Sequence, residues 1–153
     1  MKIESERLFL YPVSNEELQR RIDAEKDDDL KQAYAEMLQG CIREPEKRVW
    51  NAVWYLELKK QSGVIVGELG FKGLGEDGTV EIGYGLREGY CGKGLMREAV
   101  KAVSDWALSQ EGVTQVEAET APNNEASQKV LSAVGYVPLG QWGEEGPRYV
   151  YRG

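Results

Sequence analysis

The stretch Thr79-Val80-Glu81-Ile82-Gly83-Tyr84-Gly85-Leu86-Arg87-Glu88-Gly89-Tyr90-Cys91-Gly92-Lys93-Gly94-Leu95-Met96-Arg97-Glu98-Ala99-Val100 decides the fold, because its hydrophobic period changes halfway along. From Thr79 to Leu86 the period is two, with Val80, Ile82, Tyr84 and Leu86 on one side and Gly83 and Gly85 on the other. That is the pattern of a strand. Further on, Leu95, Met96, Ala99, Val100, Val103, Trp106 and Ala107 recur every three or four residues, which predicts an amphipathic helix over Lys93–Ser109. Between the two lies Gly89-Tyr90-Cys91-Gly92-Lys93-Gly94. A glycine-rich turn feeding a helix start leaves backbone N–H groups without intrahelical partners and adds the positive end of the helix dipole, so it forms a seat for an anion. The glycines allow a close approach of backbone to ligand, and Lys93 and Arg97 add charge. A diphosphate suits the seat.

Two common phosphate loops do not fit. The pattern G-x-x-x-x-G-K-[ST] would need Lys and Ser/Thr after Gly94, where Leu95 and Met96 stand. The dinucleotide fingerprint G-x-G-x-x-G would need a glycine at Arg97.

Outward from this centre, the chain alternates hydrophobic patterns. Ser5–Tyr11 reads as a strand ended by Pro12, and Ser14-Asn15-Glu16-Glu17 opens a helix reaching about Ala24. The acidic run Glu25–Asp29 reads as a solvated linker to a second helix over about Leu30–Leu38, with Gly40 beyond its end and Leu30, Ala33, Tyr34 and Met37 facing inward. Ala52–Lys59 and Val64–Lys72 form a hairpin across Lys60-Gln61-Ser62-Gly63. Gln115–Thr120 is a fifth strand, Asn123 or Asn124 caps a short helix ending near Gly135, and Tyr136–Trp142 and Arg148–Tyr151 close the chain as a strand pair. Trp50, Trp54 and Tyr55 read as core or cleft lining. The order is β-α-α-β-β-β-α-β-α-β-β. It implies an α/β (α+β) fold over residues 1–153, a single domain with a mixed, mostly antiparallel sheet of about seven strands flanked by four helices.

Composition excludes several classes. A net charge of −7 without a basic tract argues against nucleic acid and suits a cationic acceptor. No apolar run approaches the ~20 residues of a membrane span, so no membrane role is expected and the expected location is cytoplasmic. Cys41 and Cys91 then read as free thiols, and no metal is expected. The chain has no histidine, so a general base has to be a carboxylate or a water chain.

Taken together, these motifs resemble the GNAT acetyltransferases. Gly89-Tyr90-Cys91-Gly92-Lys93-Gly94 is similar to that family's acyl-CoA loop, [Q/R]-x-x-G-x-[G/A], keeping both later glycines and losing the leading Gln/Arg. Asn124-Glu125-Ala126-Ser127-Gln128-Lys129-Val130-Leu131-Ser132-Ala133-Val134-Gly135-Tyr136 resembles the N-x-x-S-x-x-V-L-x-x-x-G-[F/Y] segment of the RimJ/RimL ribosomal-protein N-terminal acetyltransferase subgroup. With Ile65-Val66-Gly67-Glu68-Leu69-Gly70 and Glu81-Ile82-Gly83-Tyr84 in family style, the resemblance runs from about Trp54 to Gly140.

The resemblance implies acetyl-CoA as cosubstrate and an amine, either a protein N-terminus or a small molecule, as acceptor. It implies cofactor contacts from Tyr84, Gly85, Leu86, Tyr90, Cys91, Gly92, Lys93, Gly94, Leu95, Met96, Asn124 and Ser127. Pantetheine lies along the strand, where Gly83 and Gly85 mark a bulge or the approach of another backbone, and the Leu86 N–H stabilises the oxyanion. Glu68, Glu81 and Glu119 are the candidate bases, with Glu81 taken first. The tyrosine that many members use as acid is replaced by Leu131, so Ser127 is the expected proton donor or thiol partner, and Asn124 holds the pantetheine amide. A non-catalytic CoA-binding module on the same fold is the alternative, and either a monomer or a homodimer is compatible with the sequence.

Overall fold

In the computed structural model, which describes residues 1–153, the elements run β1 (Ile3–Glu4), β2 (Leu8–Pro12), α1 (Asn15–Ala24), α2 (Asp28–Arg43), a 3-10 turn (Pro45–Lys47) and α3 (Arg48–Asn51). They continue with β3 (Val53–Leu58), β4 (Ile65–Leu74), β5 (Thr79–Leu86), α4 (Leu95–Leu108), β6 (Gln115–Glu119), α5 (Glu125–Val134), β7 (Val137–Trp142) and β8 (Pro147–Tyr151). The strands form one sheet in the order β1-β2-β3-β4-β5-β6-β8-β7. Every neighbouring pair is antiparallel except β5 and β6, which are parallel and joined through α4.

Alternation along the strands sends two sets of side chains to two layers. One set meets α4 and α5. Leu95, Met96, Ala99, Val100, Val103 and Ala107 of α4 are buried with Val66, Leu69, Val80 and Ile82 of the sheet. Each of the larger side chains contributes roughly 1.5–3 kcal/mol by leaving water. Trp54, Trp106 and Phe71 pack here with Trp50, and the Trp50–Phe71 and Trp54–Trp106 ring centroids are both 5.0 Å apart. The other set meets α1 and α2, where Val13, Val53 and Tyr55 bury Leu18, Ile22, Tyr34 and Leu38.

Several elements differ from the sequence reading. There are eight strands and five α-helices, because a two-residue β1 pairs with β2 and a single turn, α3, precedes β3. Neither is long enough to show a period. Helix α2 begins at Asp28, since the Asp27 side chain caps the amides of Asp29 and Leu30, so the acidic run is a helix start rather than a linker. It also runs through Gly40 instead of stopping before it. A Cβ at Gly40 would lie 3.1 Å from Asn51, so this glycine is where α3 packs onto α2.

Candidate active site

The turn before α4 is built from glycines that the backbone requires. Gly89, Gly92 and Gly94 have φ of 91°, 79° and 77°, a region that side chains with a Cβ avoid. Gly94 is the N-cap residue. The amides of Cys91 through Arg97 find no acceptor in the chain, while those on either side do: Tyr90 N–H bonds Arg87 O and Glu98 N–H bonds Gly94 O. Arg7 steadies the turn from β2's side, donating from its Nη1 to Lys93 O at 3.0 Å and from its Nε to Glu98 Oε1 at 2.8 Å. Leu95 and Met96 point their side chains into the core and leave only their amides to the turn.

Beside the turn the sheet opens. β5 pairs with β6 only as far as Ile82 opposite Ala118, so Gly83 to Leu86 run on without a partner on that side. On the other side β4 continues, with Gly67 opposite Leu86 and Arg87 N–H bonded to Val66 O at 2.8 Å. Antiparallel bonds alternate along a strand, so Gly83 and Gly85 turn their amides to β4, and Tyr84 and Leu86 turn theirs to the gap.

The gap leads into a cleft of about 380 Å³ on the α4/α5 face. Its lining brings together Tyr84, Gly85, Leu86, Cys91, Gly92, Gly94, Leu95, Met96, Asn124 and Ser127 of the expected cofactor contacts. Tyr90 and Lys93 lie outside that lining, whereas Arg97, Ala126, Lys129 and Val130 join it. Asn124 caps α5 by accepting from Ser127 N–H at 3.1 Å. The Ser127 hydroxyl and the Tyr84 phenol are 2.8 Å apart, bridging strand and helix across the gap. Burial pushes the Tyr84 hydroxyl above its ordinary range, and the bond to Ser127 offsets part of that rise. Nothing in the spacing of the sequence signals this pair. Leu131 is fully buried.

A second cleft, of about 240 Å³, lies on the α1/α2 face and shares Tyr84 and Gly85 with the first. Its wall is Leu30, Ala33, Tyr34 and Met37 of α2, and its floor is Glu68 and Gly70 of β4 with Gly83 and Gly85 of β5. Thus the face of α2 expected to look inward looks into a cleft. Glu68 sits directly opposite Gly85. Its Oε1 accepts from Arg21 Nη2 at 2.9 Å and its Oε2 from the Tyr34 hydroxyl at 2.5 Å. Burial, then the bond to Glu68, pushes the Tyr34 hydroxyl up to about 12, so it stays a donor.

The other two candidate carboxylates have different surroundings. Glu81 is 2.8 Å from both Lys72 Nζ and Arg148 Nη2, and it is absent from the lining of both clefts. Burial raises its carboxyl, but the hydrogen bonds from Lys72 and Arg148 outweigh that and hold it below the ordinary carboxylate range. Arg148 also bonds Glu117 at 3.0 Å and Glu119 at 2.7 Å. Glu119, too, is absent from the lining of both clefts. Its side chain is 6% exposed and accepts from the Glu145 amide under the β7–β8 turn. The sheet's irregularities fall between Leu56 and Glu57, between Phe71 and Leu74 and between Pro138 and Trp142, so of the two readings of Gly83 and Gly85 the bulge falls away.

The fold has counterparts. The Acetyltransferase (GNAT) domain family matches residues 4–137. Two Bacillus proteins, the uncharacterized N-acetyltransferase YjdG of B. subtilis and p20 of B. licheniformis, are 36% and 32% identical over 84 and 78 residues. Those matches cover 54% and 50% of this chain, and 50% and 44% of the relatives, so the chain matches about half the length of each. Among solved structures, an acetyltransferase from Agrobacterium tumefaciens superposes with a TM-score of 0.74 at 20% identity, covering 100% of this chain and 95% of the other. The ribosomal L7/L12 alpha-N-protein acetyltransferase RimL, solved with coenzyme A, superposes with a TM-score of 0.75 at 14% identity over 99% and 98% of the two chains. With a glycine turn of unpartnered amides at the mouth of α4, a strand that parts from its neighbour, and a family match over most of its length, the chain belongs to the GNAT acetyltransferase family.

Proposed function

We propose that the protein transfers an acetyl group from acetyl-CoA to a primary amine, the two substrates meeting at Tyr84 and Gly85. What carries this reading is that these two residues border both clefts, one against the glycine turn and one against α2. The fit of the cofactor rests on the amides of Cys91 through Arg97, which lack partners in the chain and suit a pyrophosphate. Free backbone groups of Tyr84 and Leu86 suit an amide-bearing arm lying as an added strand. The bound thioester supplies an activated acyl carbon. The Leu86 N–H, turned to the gap, is the donor we assign to its carbonyl oxygen as charge builds there.

The attacking amine has to be neutral. At pH 7 that costs roughly 1 kcal/mol for an α-amine near ~7.8, against about 4.6 kcal/mol for a lysine-type amine near ~10.4. We assign the proton-accepting role to Glu68, which lines the acceptor cleft and keeps lone pairs beyond its bonds to Arg21 and Tyr34. Glu81, held by Lys72 and Arg148, serves the sheet instead. As the C–N bond forms and the C–S bond breaks, the amine proton passes to Glu68, directly or through a water. Coenzyme A leaves as a thiolate that accepts a hydrogen bond from the Ser127 hydroxyl, and the proton taken up by Glu68 returns through solvent to the sulfur. A cytoplasmic setting belongs to this reading and is supported by the free thiols of Cys41 and Cys91.

The test is release of free thiol from acetyl-CoA across a panel of amines. Amine-dependent release in the wild type, lost together with CoA binding in Gly94→Glu, is the expected result. Binding of CoA without release to any amine would favour a non-catalytic CoA-binding module, and no binding at all would remove the reading.

A further inference from the structure

The acceptor cleft has a floor with no side chains at its centre. Gly70 and Gly83 are directly opposite each other on β4 and β5, and Gly85 lies opposite Glu68 one step along. A strand commonly needs glycine where φ is positive, where a neighbour crowds the Cβ position, or where a bulge interrupts the pairing. None of these conditions holds at Gly83 or Gly85. Neither has a positive φ, a Cβ at either would meet nothing within 4 Å, and the pairing is regular there. A Cβ at Gly70 would touch only Ala52 O, at an ordinary 3.7 Å. What these glycines preserve is a smooth strip of peptide planes with open space above it.

The walls and ends of that space are chemically distinct. Leu30, Ala33 and Met37 give one apolar side, and Leu30 is 48% exposed, a large apolar side chain with no protein partner covering it. Glu68 is the one carboxylate of the lining and Lys72 the one ammonium. They stand four residues apart on the same face of β4, about 13 Å at strand rise. At the end beside Gly85, Glu68 keeps lone pairs beyond its bonds to Arg21 and Tyr34 that can accept from an amine. Lys72 at the other end is already engaged by Glu81 at 2.8 Å.

We propose that the acceptor is a primary amine two carbons from an aromatic ring, with its nitrogen at Glu68 and its ring on the Gly70–Gly83 strip against Leu30 and Met37. This rests on the acetyltransferase reading for the identity of the cleft. A polyamine fits poorly, because its second cation would lie over the apolar strip beside Leu30, Ala33 and Met37. The same chemistry occurs in a free arylalkylamine and in a peptide beginning with phenylalanine.

The experiment is calorimetric binding to the CoA-saturated protein of 2-phenylethylamine, of a Phe-Ala-Ala peptide and of spermidine, each repeated with Gly83→Val. The valine side chain fills the strip without backbone strain. At least one aromatic amine is expected to bind ~10-fold or more tightly than spermidine, and Gly83→Val to weaken it by ~10-fold or more, with CoA affinity and melting temperature held. A tighter phenylethylamine marks a small-molecule source and a tighter peptide a protein N-terminus; either supports the proposal. Spermidine binding more tightly than both, or aromatic-amine affinity unchanged by Gly83→Val, overturns it. Loss of CoA binding by the wild type would instead strike the acetyltransferase reading, and the amine measurements made on the CoA-free protein still decide this one.

Discussion

The hydroxyls of Ser127 and Tyr84, 2.8 Å apart, divide one task between them. A serine hydroxyl has a single proton, so a donor fixed on its oxygen leaves that proton free to face the gap. The raised Tyr84 phenol keeps its own proton and fits the part of that donor. Tyr84 is then a positioning residue acting through Ser127. Ser127→Ala is expected to lower kcat by roughly 10²-fold with little change in acetyl-CoA affinity, the low end of what a donor aimed at developing charge supplies. Tyr84→Phe should lose a good part of the same factor, and the double variant should be no worse than Ser127→Ala alone. Additive losses, or a loss in affinity equal to that in kcat, would assign Tyr84 to packing. Ser127 was legible in the sequence through the resemblance of the Asn124–Tyr136 segment to the N-x-x-S pattern of the RimJ/RimL subgroup. Its partner was not, since a strand residue 43 positions away leaves no local trace.

Among the elements, β6 and β8 are held to β5 by one guanidinium. Arg148 meets Glu81, Glu117 and Glu119, each with a side chain at most 18% exposed. Its removal leaves Glu81 with Lys72 alone and Glu117 and Glu119 with no cation on the same face, so Arg148→Met is expected to cost about 3 kcal/mol at neutral pH, the range for breaking a largely buried pair. The sign of the pH dependence follows from Glu81, whose folded carboxyl is lowered. A lowered carboxyl stabilises the fold above its unfolded value, near ~4.3, and that contribution is lost as pH falls through the folded value. Chemical denaturation should therefore show the gap between Arg148→Met and wild type narrowing as pH falls from neutral through 4 toward 3. A gap that widens would contradict the cluster. Long periodic elements such as β5 and α4 could be read from spacing alone, while β1 and α3 are too short to carry a period. The apolar stripe of α2 was visible too. What it faces depends on how far α2 stands from β5, which no local pattern encodes.

Across the whole molecule, the parting of β5 from β6 is the organising feature, with one cleft on each face of the sheet and Tyr84 and Gly85 common to both. The glycine turn gave away the anion seat, because backbone demands for positive φ are written locally, and the Asn124–Ser127 segment was tied to the cofactor by its resemblance to the RimJ/RimL pattern. The acceptor side depends on Arg21, Tyr34 and Glu68 meeting from α1, α2 and β4, separations of 13 to 47 residues. A ligand that joins these parts stabilises them together. Acetyl-CoA at a hundred times its dissociation constant should add about 2.7 kcal/mol, and so raise the melting temperature by roughly 5–10 °C. The parting of the strands is tested most directly by titrating the ¹⁵N-labelled protein with CoA and following it amide by amide. Gly92, Gly94, Leu95 and Met96 are expected to shift together with Tyr84 and Leu86 at one common dissociation constant. Shifts confined to other surfaces, or a glycine turn that stays still while CoA binds, would contradict a cofactor seated between that turn and the open edge of β5.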